Sequence, residues 1–89
     1  MKEIKVEIKN EAGLHARPSS KFVELVSEYD SEIIVKTNGE EVNGSSIMGL
    51  MLLAAEKGRV LMITADGEDE EEVLEALRIL IEEEKFNET

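Results

Sequence analysis

The 89-residue sequence contains no cysteine and no tryptophan, and it has a single histidine and a single proline. Without cysteine no disulfide can staple the chain, so a secreted disulfide scaffold is excluded. One histidine and no cysteine also exclude zinc ribbons, cysteine-ligated iron–sulfur clusters and thioredoxin-type redox motifs, each of which needs several soft ligands at short spacing. Basic residues are scarce: 10 Lys and Arg stand against 21 Asp and Glu, a formal net charge of −11. Repulsion from a phosphate backbone argues against direct nucleic-acid binding and against anionic membranes. No apolar run approaches the length of a membrane span, and residues 1–10 alternate charge with Ile and Val instead of forming a signal sequence, so a cytoplasmic protein is expected. At this length one small domain, residues 1–89, is the expected organisation.

The acidity is concentrated. Residues 1–65 hold 10 acids and 8 bases, whereas residues 66–89 hold 11 acids and 2 bases. Between Asp69 and Lys85 the apolar residues Val73, Leu74, Leu77, Leu80 and Ile81 recur at offsets of three and four, so the Glu-rich segment is expected to be an amphipathic helix with a solvated acidic face. Asp69 followed by Glu72 resembles a capping pair, and Glu70, Glu71 and Glu72 fall where the helix dipole favours anions. A metal site in the Glu70–Glu72 and Glu82–Glu84 runs is disfavoured, because consecutive carboxylates on a helix point in different directions. No metal ligand and no cofactor is expected.

Elsewhere the pattern alternates between strand and helix periods. Met1 to Asn10 reads as a strand with Ile4, Val6 and Ile8 on one face. Arg17 to Tyr29 reads as a helix, with Phe22, Val26 and Tyr29 on its inner stripe and Pro18 in its first turn. Glu32 to Thr37, Asn38-Gly39 and Glu40 to Val42 read as an antiparallel hairpin. A short helix from Ser46 to about Ala55 follows, with Ser46 as N-cap and Gly58 as the stop, then a strand from Val60 to Ala65. The order βαββαβα, with one polar sheet face, predicts an α+β open-faced two-layer sandwich: a four-stranded antiparallel sheet with three helices on one face.

Two constellations bear on chemistry. His15 stands where a Gly-containing loop meets a helix start, two residues before Arg17. Free first-turn amides, the helix dipole and a guanidinium together form an anion site, and a neutral imidazole there is a nucleophile able to take a phosphoryl group. Ser19, Ser20 and Ser46 offer further hydroxyls. His15 as an ordinary helix-start residue and Arg17 as an exposed cation is the competing description. No second general base or P-loop accompanies the pair, so a carrier fits better than a self-sufficient enzyme. The second constellation is Ile47 to Ala55, which holds more apolar residues than one short helix buries. Ile47, Met48 and Met51 are the candidates for an exposed partner-binding patch, the alternative being a fully buried core helix. A phosphate on Ser46 would place charge beside that patch.

Both stretches resemble the HPr family, the histidine-containing phosphocarriers of the bacterial phosphoenolpyruvate:sugar phosphotransferase system. Gly13-Leu14-His15-Ala16-Arg17-Pro18 is similar to the family's active-site signature. Asn43-Gly44-Ser45-Ser46-Ile47-Met48-Gly49-Leu50-Met51 is similar to its regulatory-serine signature, and Tyr29-Asp30, Asn38-Gly39 and Gly58 fall in register. The resemblance implies that His15 accepts a phosphoryl group at Nδ1 from phosphorylated enzyme I and passes it to sugar-specific enzyme IIA. Arg17 would neutralise the phosphate, amides near Ala16 and Arg17 would stabilise it, and Pro18 would fix the helix start. It also implies that Ser46 is the target of HPr kinase/phosphorylase, that the Ser-phosphorylated form acts with a catabolite-control transcription factor, and that Ile47, Met48 and Met51 dock partners. A monomer is expected, and a regulatory module acting through Ser46 without sugar transport is the alternative. The chain departs from the family at Glu24, Ser27 and Ser45, where Lys is frequent nearby, which weakens attraction to acidic partners. It departs again at Ala12, often a small polar residue, for whose lost contact Ser19 and Ser20 are offered as replacements.

Overall fold

Strict alternation makes Lys2–Glu7 the first strand, β1: Val6 turns inward while Lys5 stays in water. In the computed structural model, which describes residues 1–88, it is followed by α1 (Ala16–Val26), β2 (Glu32–Thr37), β3 (Glu40–Asn43), α2 (Ile47–Leu52), β4 (Val60–Asp66) and α3 (Glu70–Arg78). The strands form one antiparallel sheet in the order β1-β4-β2-β3. Val6, Ile33, Val35, Leu61, Ile63 and Ala65 point from it into the core, where Phe22, Val26, Leu50, Val73, Leu74 and Leu77 from the helices meet them. Lys5, Lys36 and Met62 lie in register on the opposite, open face. The expected α+β open-faced sandwich of order βαββαβα is therefore the observed fold.

The hairpin turn is local chemistry. Asn38 and Gly39 both take left-handed backbone angles, φ 52° and 79°, the pair that lets a two-residue turn follow the twist of its strands. Thr37 then pairs with Glu40.

The first strand ends at Glu7 rather than Asn10 and the first helix at Val26 rather than Tyr29, and three further features differ from the sequence expectation. The second helix stops at Leu52, not near Ala55, because Ala54 turns left-handed at φ 50° and donates its amide back to Met51 O; Gly58, four residues later, is not its stop. Asp69 makes no capping bond to α3. Its carboxylate reaches across the fold to accept from the amides of Asp30 (2.8 Å) and Ser31 (3.0 Å) and from Ser31 Oγ, and these bonds, the hydroxyl's above all, hold its pKa below the usual carboxylate value. The nearby turn is closed instead by Glu70, which accepts from Gly67 N at 3.1 Å. Finally, α3 does not run as one helix to Lys85. It widens into a π-helical turn, Ile79–Glu83, in which Glu84 N donates to Ile79 O, and then breaks.

Beyond that break the chain coils the other way. Lys85, Phe86 and Asn87 carry φ values of 50°, 56° and 54° in succession. Left-handed backbone costs a non-glycine residue about 1 kcal/mol or more, and a bulky Phe is the least suited to it. Burial of the Phe86 ring and a 2.5 Å hydrogen bond from Lys21 Nζ to Phe86 O oppose that cost.

Candidate functional site

His15 occupies the N-cap of α1, in extended backbone at φ −77° and ψ −171°, and its ring makes no capping hydrogen bond. The segment before it is pinned on both sides. Leu14 is buried and donates its amide to Ala55 O at 3.0 Å, while Leu14 O accepts from Ser19 Oγ at 3.1 Å. Gly13 takes φ 65°, and a side chain there would run into Ala55 O. The effect is to hold the backbone of residue 15 rigidly while the imidazole stands in solvent.

The ring lies between two hollows. One, of about 420 Å³, is lined by Ala12, His15, Ala16, Arg17, Pro18, Met51 and the segment Phe86 to Glu88. The other, of about 220 Å³, is lined by Leu14, His15, Met51, Ala54, Ala55 and Glu56. The amides of Ala16 and Arg17, in the first turn of α1, have no hydrogen-bond acceptor among the described residues, and Pro18 has none to offer. Arg17 is exposed and forms no ion pair with the described residues. An exposed imidazole, two free amides and an uncommitted guanidinium thus open on one concave space, an arrangement suited to an anion bonded to the ring.

The serines divide. Ser19 is fully buried and its hydroxyl is committed to Leu14 O, so Ser19 does not replace the hydroxyl absent at Ala12. Ser46 caps α2, its Oγ accepting from Gly49 N at 2.9 Å. Ser45 Oγ instead donates to Asn43 Oδ1 at 2.6 Å.

The apolar patch is real and larger than Ile47, Met48 and Met51. These are 39%, 75% and 43% exposed, and Leu52, at 75%, joins them. Only Leu50 of α2 is buried. The crowding of apolar residues signals that some must face water, but not that Leu52 is among them. Met51 lines both hollows, so the patch is continuous with the His15 site.

One participant leaves no local signal at all. Glu88 returns to the loop before His15 and accepts from Glu11 N at 2.7 Å, from Ala12 N at 3.0 Å and from Asn10 Nδ2 at 3.1 Å. These bonds, that from Asn10 foremost, lower its pKa, and proximity to His15 adds in the same direction. Several other acids of the final helical region are engaged elsewhere: Glu75 and Glu83 on Arg78, Glu71 on Lys2, Glu82 on Glu7 N.

Comparison with known proteins fits this geometry. Residues 2–83 match the family model described as the PTS HPr component phosphorylation site. The chain is 53% identical over 76 residues to the phosphocarrier protein HPr of Neisseria meningitidis, covering 85% of each. A crystal structure of HPr from Thermoanaerobacter tengcongensis superposes with a TM-score of 0.93 at 48% identity, covering 100% of this chain and 99% of that one. A dimer of that protein is similar at a TM-score of 0.74. The HPr-like protein Crh of Halalkalibacterium halodurans is 44% identical over 84 residues, 94% of this chain and 100% of its own length.

Proposed function

Since the chain belongs to the HPr family, the phosphocarriers of the phosphotransferase system, we propose that it carries the phosphoryl group on His15, accepting it from phosphorylated enzyme I and giving it to a sugar-specific enzyme IIA. The observation that supports this most directly is the exposed His15 ring beside the unpaired Ala16 and Arg17 amides and the uncommitted Arg17. Nδ1 of the neutral imidazole attacks phosphorus as the donor's bond to phosphorus breaks. The electron pair of that bond stays with the donor, and the far nitrogen of His15 keeps its proton. Arg17 and the two amides then face the transferred oxygens, while Pro18 fixes the first turn without adding a competing donor. The chain acts as a covalent intermediate for its partner enzymes, a reading supported by its similarity to phosphocarrier proteins. Ile47, Met48, Met51 and Leu52 supply the apolar surface that enzyme I and enzyme IIA grip in turn. Incubation with phosphoenolpyruvate and enzyme I should give an acid-labile, base-stable phosphoadduct; a chain that stays unlabelled refutes the assignment.

Ser46 serves as a second, regulatory position, the substrate of an HPr kinase/phosphorylase, whose product engages a catabolite-control transcription factor. Similarity to Crh of Bacillus subtilis, described as a catabolite repression HPr and 41% identical to this chain, supports that arm. A module acting through Ser46 alone, without transport, accounts for the patch but gives His15 no role. With ATP and the kinase, labelling is expected to vanish in Ser46→Ala and persist in Ser45→Ala. The reverse pattern moves the site to Ser45. Because Ser46→Ala also removes the Gly49 cap, at a cost of about 1 kcal/mol, folding of that variant is checked by circular dichroism.

A further inference from the structure

The loop that delivers His15 is organised around a carboxylate from the far end of the chain. Two successive backbone amides, Glu11 N and Ala12 N, and the side-chain amide of Asn10 converge on Glu88, forming an anion-binding concavity already occupied by an anion. Asn10 is buried, and its Nδ2 also donates to Gly13 O at 2.9 Å, so the carboxylate, the loop and the glycine before Leu14 form one connected unit. Holding Glu88 there requires three consecutive left-handed residues, Lys85 to Asn87, with Phe86 buried and tied by Lys21. Phe86 burial offsets part of this strain, and the same turn sets the Glu88 carboxylate beside the loop that carries His15.

We infer that Glu88 is a positioning residue of the transfer site: it locks the loop before His15 and keeps a competing negative charge in the same cavity, so that a phosphoryl group on His15 remains easy to give away. This rests on His15 being the phosphoryl acceptor. A carrier that bound its phosphate as well as the cavity allows would be a sink. Arg17 and the amides of Ala16 and Arg17 favour the phosphorylated ring, and Glu88, which lines the same hollow, opposes it. The amides of Glu11 and Ala12 would otherwise be available to an anion nearby, but Glu88 already fills them.

The test is the equilibrium between phosphorylated enzyme I and this chain, measured with the parent sequence, Glu88→Gln and Glu88→Asp. Loss of the charge in Glu88→Gln should shift the ratio toward the phosphorylated chain by about threefold to tenfold, the effect of one unit charge several ångströms away at a dielectric between those of protein and water. The same variant should donate to enzyme IIA more slowly. Glu88→Asp, which keeps the charge, should restore the wild-type ratio. A clamp of purely structural importance would lower the melting temperature and deprotect the Glu11 and Ala12 amides to exchange but leave the ratio unchanged, and that result overturns the inference. If the wild-type chain accepts no phosphoryl group, the carrier assignment itself falls, an outcome distinct from equal ratios in wild type and Glu88→Gln.

Discussion

Replacing His15 by alanine should abolish the acid-labile phosphoadduct formed with phosphoenolpyruvate and enzyme I, while the melting temperature stays close to that of the parent. Loss is expected to be complete because, among the described residues, no other side chain in the two hollows is placed to substitute. Their lining residues other than His15 are apolar, cationic or amide-bearing, apart from Glu56 and Glu88, and the Glu88 carboxylate is already accepting three hydrogen bonds. Stability is expected to be preserved because the imidazole is exposed and makes no capping bond, so its removal strands no buried partner and opens no cavity. Surface substitutions of this kind change stability by about 0.5 kcal/mol or less. Mass spectrometry of the adduct and thermal unfolding of the variant check the two halves separately. Labelling of His15→Ala at the wild-type level would assign the phosphoryl group elsewhere.

The parts of this site that sequence reasoning reaches are those encoded within one turn or one hairpin. Apolar spacing at Phe22 and Val26, the lone Pro18 in a first turn and the Asn38-Gly39 turn each express a preference that a few neighbouring residues satisfy, and each element forms where that preference places it. His15, Ala16, Arg17 and Pro18 are consecutive, so a helix start suffices to gather them, and Met51 joins them because α2 packs against α1. What sequence reasoning misses depends on distant partners. Asp69 resembles a cap until Asp30 and Ser31 claim its carboxylate. Ser19 looks available until the buried Leu14 O takes its hydroxyl. Glu88 is one of 21 acids with nothing in its neighbours to set it apart, and its role exists only because residues 10 to 12 come to lie beside it. The net charge of −11 conceals the same distinction: most of the acids of the last segment face water or pair with cations, and one returns to the anion site.

Gly13→Ala should be the most damaging single-methyl change in the loop that carries His15, destabilising the fold by about 2–5 kcal/mol, as strain and overpacking combine. Two effects coincide at this residue. Its φ of 65° disfavours any L side chain, and the added Cβ would overlap Ala55 O, a backbone atom that cannot swing aside as the end of a flexible side chain would. Ala55 O is also the acceptor for Leu14 N, so relief of the overlap lengthens the bond that seats Leu14 in the core and moves the backbone of His15 with it. Gly39→Ala provides the comparison. Gly39 has a φ of 79° but no atom within 4 Å of where its Cβ would lie, so that variant carries the conformational cost alone, about 1 kcal/mol. Urea unfolding of both variants separates the contributions, and phosphoryl acceptance from enzyme I reports the functional consequence. Gly13→Ala should lose acceptance even at temperatures where it remains folded, because a displacement of about 1 Å at a reacting group costs on the order of a hundredfold in rate. Gly39→Ala, at the opposite end of the sheet's hairpin, should transfer normally. Equal stability losses in the two variants would mean that the loop yields at Ala55, and that the rigid seating of His15 is not what the close approach of Gly13 provides.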